Sequence, residues 1–244
     1  MDGDLRSRFE SVVERLRSME NPTNVEGMAR FGISSHNTLG ISVTTLRAMA
    51  RSIPKDHDLA IALWMSGIHE ARILASIIDE PSMVTREQTI SWTSDFDSWD
   101  ICDQVCSNLF DKTPFAYEIA MEFSSSEREY VKRAGFVIMA ALSVHDKNAP
   151  DESFMMFLPV ILRESQDDRN FVKKAVNWAL RQIGKRNLRL NELAIEIAEE
   201  ISESDSRPAK WIASDALREL RSEAVLRRLS IREPARRPAR RPSS

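Results

Sequence analysis

Apolar residues recur at intervals of three and four along most of the chain, in windows of roughly 10 to 18 residues. That spacing stacks them on one side of a helix. Strand-like alternation bounded by turn dipeptides does not occur, so the pattern predicts an all-α fold. Helices are predicted near residues 5–19, 24–32, 43–52, 57–68, 70–79, 84–94, 97–110, 113–122, 127–145, 151–165, 169–184, 189–202 and 207–221. Breakers separate them at Asn21-Pro22, Pro54, Pro81, Pro114, Asn148-Ala149-Pro150 and Pro208. From about residue 57 the helices fall into pairs spaced roughly 30 to 45 residues apart, as in helix-pair solenoids. The architecture expected is a curved α-solenoid, an alpha-alpha superhelix, although no clean sequence repeat accompanies it.

The 244 residues, 42% of them hydrophobic, suffice for a sizeable core. One domain is expected over residues 1–222, followed by a basic Pro/Arg-rich tail, 223–244, that is extended and disordered. The net charge of −3 hides an asymmetry. From Arg218 to Ser244 there are nine Arg and three Glu, a net of +6, which leaves −9 for residues 1–217. Such a chain binds nucleic acid only if a local basic stripe exists. Cys102 and Cys106, four apart, suit reduced thiols better than a disulfide. The charged N-terminus does not resemble a signal peptide. No apolar run reaches 18 residues, so no membrane span is expected. A cytoplasmic monomer is expected. The sequence contains no phosphate-loop or dinucleotide glycine motif, no H-E-x-x-H and no G-x-S-x-G. No cofactor and no metal are expected.

Three stretches can carry chemistry. In "FDSWDICDQVC", 96–106, Asp97 or Ser98 can cap a helix, and Asp97 and Asp100 suit its positive end. Trp99 and Asp103, four apart, share a face. Asp103 sits among Ile101, Cys102, Val105 and Cys106, either as a structural acid or as a functional one. In "YVKRAGFVIMAALSV", 130–144, Lys132 and Arg133 interrupt a helix that is apolar nearly all round. A near-buried Arg133 requires an anion, either Asp103 or a phosphate. In "NFVKKAVNWALRQIGKR", 170–186, Lys174, Trp178, Arg181 and Lys185 lie on one helical face, either as a solvated charged face or as a phosphate-binding surface with an aromatic contact. Trp64, Trp92 and Trp211 are expected in the core.

Taken together, "NPTNVEGMARFGI", "LGISVTTLRAMA", the W-D-x-x-D of "SWDICDQ", "VKRAGFVIMAAL" and "FVKKAVNWALRQIGKRN" resemble the AlkD-type DNA alkylation repair glycosylases, over about residues 20–221. The resemblance implies HEAT-like repeats and release of cationic N3- and N7-alkylpurines from double-stranded DNA. It implies that the lesion need not enter a deep pocket. By motif, Asp103 matches the catalytic acid, Trp99 the aromatic facing the deoxyribose, Arg133 the essential arginine on the phosphate side, and Trp178 the second aromatic wall. Arg181 matches a basic residue three after that Trp. Phe31 stands where active members carry Tyr after "MAR". Phe31, Lys132, Lys174, Arg181 and Lys185 are the expected DNA contacts. In a solenoid, Trp99, Asp103, Arg133 and Trp178 are expected to converge on one concave wall.

The chemistry suits these residues. An alkylated cationic purine is a good leaving group and needs no general acid. Asp103 can stabilise an oxocarbenium ion and orient water, and the Trp faces attract positive charge. Two alternatives compete: a binder of damaged DNA without catalysis, and a helical-repeat scaffold for other proteins.

Overall fold

The computed structural model describes residues 2–232. Fifteen α-helices are seen among them: α1 (Gly3–Arg17), α2 (Pro22–Ala29), α3 (Val43–Ala50), α4 (His57–Met65), α5 (His69–Ile78), α6 (Arg86–Ser94), α7 (Trp99–Asn108), α8 (Ala116–Ser124), α9 (Glu129–His145), α10 (Glu152–Met155), α11 (Leu158–Glu164), α12 (Asn170–Ile183), α13 (Leu188–Ser202), α14 (Arg207–Leu220) and α15 (Glu223–Arg232). A 3₁₀ turn at Phe110–Lys112 follows α7. The all-α helix-pair fold predicted from periodicity is the fold observed.

Local chemistry fixes the helix starts. The side chains of Asp2, Asn21, Ser42, Asp56, Thr85 and Asn187 each accept a hydrogen bond from a backbone N–H three residues on, satisfying a donor the first turn leaves open. The helix expected over 151–165 is two pieces, α10 and α11. Pro159 explains the break: it has no N–H to donate and its ring crowds the carbonyl four residues back, so it fits only at a helix start.

An extended tail was expected from residue 223, but its first ten residues are helical. Residues 223–232 form α15, which packs on α13 and α14 and buries Val225 and Leu229. These two lie four apart, a helical spacing that the surrounding arginines mask. The Pro/Arg-rich segment 234–244 lies outside the described residues.

Within the stretch read as one domain, the chain forms two compact units divided between His145 and Asp146. In the first, α3, α5, α7 and α9 pack side by side in that order, with α4 against α5, α8 against α9 and α1 against α4. Trp64 and Trp92 stack at 4.0 Å between ring centroids, and Phe96 and Phe110 close the cluster. Gly135 brings α9 tight against α8: a Cβ there would lie 2.4 Å from the Ser124 nitrogen. In the second unit α12 packs on α14 and α14 on α13, with α15 against both α13 and α14. The buried stripe of α12 is Val172, Ala175, Val176, Ala179, Leu180 and Ile183.

Candidate functional site

The first unit brings Trp99, Asp103 and Arg133 together. Ser98 is the N-cap residue of α7, yet its hydroxyl caps no amide of that helix. It accepts instead from the Ser34 N–H at 2.8 Å. The Trp99 indole N–H donates to the Phe31 carbonyl at 3.0 Å. These two bonds latch the segment after α2 onto the start of α7. The Phe31 ring itself stands out, 72% exposed.

One turn into α7, Asp103 receives Arg133 from the neighbouring helix α9. Arg133 Nε donates to one carboxylate oxygen at 2.9 Å and Nη2 to the other at 2.8 Å. This bidentate fork is the strongest ion-pair geometry a guanidinium makes. The guanidinium carbon lies 5.9 Å from the Trp99 ring centroid, within cation–π reach. Burial pushes the Asp103 carboxyl above its ordinary value, and the charge and hydrogen bonds of Arg133 oppose that rise. Arg133 is only 5% exposed, so the internal ion pair, not an open phosphate seat, is what its geometry supports. Lys132 beside it is half-buried.

His69, missed by the sequence reading, meets Asp100, whose charge acts on Asp103. His69 Nε2 and an Asp100 carboxylate oxygen meet at 2.8 Å, both residues buried. Asp100 was expected to serve the helix end, but it also binds this imidazole. Burial disfavours a charged His69, yet the hydrogen bond and charge of Asp100 outweigh it and raise the pKa. The next residue, Glu70, accepts the backbone N–H groups of Leu39 at 2.8 Å, Gly40 at 2.7 Å and Ile41 at 3.1 Å. Gly40 has φ +77°, and a Cβ there would lie 2.3 Å from the Asn21 carbonyl oxygen, so only glycine permits this turn. Glu70 thereby fixes one wall of an open, mainly apolar cavity of about 590 Å³. Phe31, Met28, Trp99 and Val43 also line it, with His69, Asp100 and Gln104 among its polar groups.

The second unit carries the basic stripe of α12. Lys174 is exposed and Trp178 half-buried. Arg181 Nη1 lies 2.6 Å from Glu219 and 3.4 Å from Asp215, and Lys185 Nζ lies 2.6 Å from Glu219. These two cations, expected at phosphates, are thus engaged by acids of α14. The single-helix pattern could not show those acids, which lie 34 and 38 residues downstream. Although burial opposes it, the bonds and charges of Lys185 and Arg181 hold Glu219 below its ordinary pKa.

One core assignment needs correction. Trp64 and Trp92 are buried, but Trp211 is 41% exposed, with the Lys173 ammonium 5.0 Å from its ring centroid. The buried stripe of α14 is Ala209, Ile212, Ala213, Ala216 and Leu220. Trp211 has apolar neighbours in sequence but falls beside that stripe in helical phase. Among the described residues no helix is long and apolar enough to cross a membrane.

The fold defines an all-helical protein of the HEAT-like repeat class. It is similar to a solved structure described as "A new family of proteins related to the HEAT-like repeat DNA glycosylases with affinity for branched DNA structures", with a TM-score of 0.70, 20% identity, and coverage of 86% of this chain and 94% of that one. The chain belongs to the DNA alkylation repair enzyme family, whose sequence model matches residues 12–233. Two relatives, uncharacterized proteins Lin0241 of Listeria innocua and Lmo0209 of Listeria monocytogenes, are 24% and 23% identical over 197 residues, which is 79% of this chain and 86% of each relative.

Proposed function

We propose that this protein hydrolyses the N-glycosidic bond of N3- and N7-alkylated purines in duplex DNA. The observation that carries the reading is the Asp103 carboxylate, gripped at both oxygens by Arg133 beside the face of Trp99. Such a purine already bears a positive charge. As the C1′–N bond breaks, its electron pair leaves with the base, which becomes neutral, and positive charge moves onto the sugar. Asp103 stabilises that oxocarbenium ion and orients the water whose oxygen adds to C1′, the water proton passing to the carboxylate or to solvent. Arg133 keeps the carboxyl ionised against burial and fixes its direction. Trp99 offers its electron-rich face to the cationic sugar, an interaction of roughly 0.5–2 kcal/mol. Lys132 and Lys174 are proposed phosphate contacts, Trp178 a further aromatic contact. The test is release of 7-methylguanine from methylated duplex under single-turnover conditions, wild type against Asp103→Asn.

Phe31 favours a second reading, a DNA binder without catalysis. Its ring is exposed but lacks the hydroxyl of active AlkD-type proteins, and the HEAT-like neighbour is described by its affinity for branched DNA. Tight binding of DNA without base release would select it.

A further inference from the structure

The hydrolysis proposed above uses the rim of the 590 Å³ cavity, through Trp99, but not its interior. The volume falls in the range of pockets that take small ligands, about 300–1,000 Å³. Trp99 and Phe31 both line the cavity; the Trp99 indole is tied to the Phe31 backbone carbonyl, while the Phe31 ring stays exposed. Ile33, Ile41, Val43 and Ile73 give it an aliphatic wall, and Thr23, Asn24, Ser42 and Gln104 add polar lining. At its polar end, His69 is 2% exposed and Asp100 9% exposed, and each keeps one polar atom without a hydrogen-bond partner: Nδ1 of His69 and Oδ1 of Asp100. Buried polar atoms without partners are costly and uncommon. A ligand seated deep in the cavity, with a small shift of its floor, would supply what they lack. A flat aromatic body with amine and ring nitrogens along one edge matches both features. Nucleobases taken out of a helix are recognised in this way, by stacking on apolar side chains and by hydrogen bonds along their edge. A free phosphate does not fit, because Asp100 would repel it.

We infer that this cavity receives an unpaired nucleobase from DNA bound at the Trp99–Asp103 face. The inference rests on the reading that this face meets DNA. It does not require that the seated base be the one excised.

Gly27 supplies the test. It lines the cavity from α2, and a Cβ added there meets nothing within 4 Å. Gly27→Leu therefore fills the cavity, and it replaces a poor helix former with a good one. Val43→Phe fills the cavity from another lining position. Fluorescence anisotropy would compare three oligonucleotide duplexes: one fully paired, one with a single bulged adenine, and one with a tetrahydrofuran abasic site in the same bulge. The wild type should prefer the adenine bulge over the abasic bulge by about tenfold, within what stacking one base contributes. Both filled variants should lose that preference and bind paired duplex within about twofold of wild type, since phosphate contacts dominate that affinity. Equal wild-type affinity for the two bulges, with paired duplex still bound, overturns this inference alone. So does an undiminished preference in both filled variants. No binding to any of the three overturns it together with the DNA reading.

Discussion

Two ion-pair clusters, one in each unit, look alike in sequence and differ in physics. In the first unit Arg133 and Asp103 are 6% and 16% exposed at their side chains. In the second, Arg181 and Glu219 are 28% and 29% exposed, and Lys185 shares the same acid. Exposed pairs gain little, because water and salt screen them and long side chains lose freedom. A buried pair also gains little net of desolvation, yet breaking it strands a charge. The contrast separates a pair that holds one carboxylate in one direction from a pair that helps clamp two helices. It also leaves Arg181 and Lys185 less available to phosphates than their spacing on α12 suggests.

The largest expected effect breaks the first pair. Arg133→Ala should lower stability by about 3–5 kcal/mol in denaturant unfolding, because the buried Asp103 carboxyl loses the guanidinium that offsets its burial. Arg133→Ala combined with Asp103→Asn should recover part of that loss; a double variant as unstable as the simple sum would deny the coupling. Arg181→Ala in the second cluster should cost only about 0–1 kcal/mol. Molar salt should erase this smaller cost and leave the Arg133 effect largely intact.

Acid should move the two clusters in opposite directions. Glu219 is held below its ordinary pKa, so its contribution is present above about 4.3, the unfolded value, and is lost as pH falls through the folded value. Asp103 is held above its ordinary pKa. The advantage from that shift exists below about 3.9 and is lost as pH rises through the folded value. Thermal melts from pH 7 to 3 should therefore show Glu219→Gln converging on wild type in acid. Asp103→Asn should fall behind wild type there instead. Parallel curves for both would contradict the assignment of the two shifts. The same raised pKa predicts that base excision fails on the acid side earlier than for an ordinary carboxylate.

The helices were legible in the sequence because burial on one side imposes a 3.6-residue period, and thirteen predicted segments each contain helix. The Asp103–Arg133 pairing was legible as one of two choices, since an arginine in an apolar helix needs an anion. His69–Asp100, Glu70 with the 39–41 amides, and Arg181–Glu219 were not. Each joins residues 29 to 38 apart, the distance from one helix pair to the next. The His69–Asp100 and Arg181–Glu219 pairs join complementary side chains at that separation, whereas the backbone amides that Glu70 binds carry no sequence signature. Trp211 failed for a related reason, because neighbours in sequence stood in for helical phase.

The central claim is that Asp103 does chemistry on DNA, and single-turnover release of 7-methylguanine from methylated duplex tests it most directly. Wild type should release the base well above the spontaneous rate. Asp103→Asn should raise the barrier by at least ~2 kcal/mol, about 30-fold in rate, with duplex affinity nearly unchanged. Release by wild type no faster than in buffer, from a protein that still binds the duplex, would contradict the account.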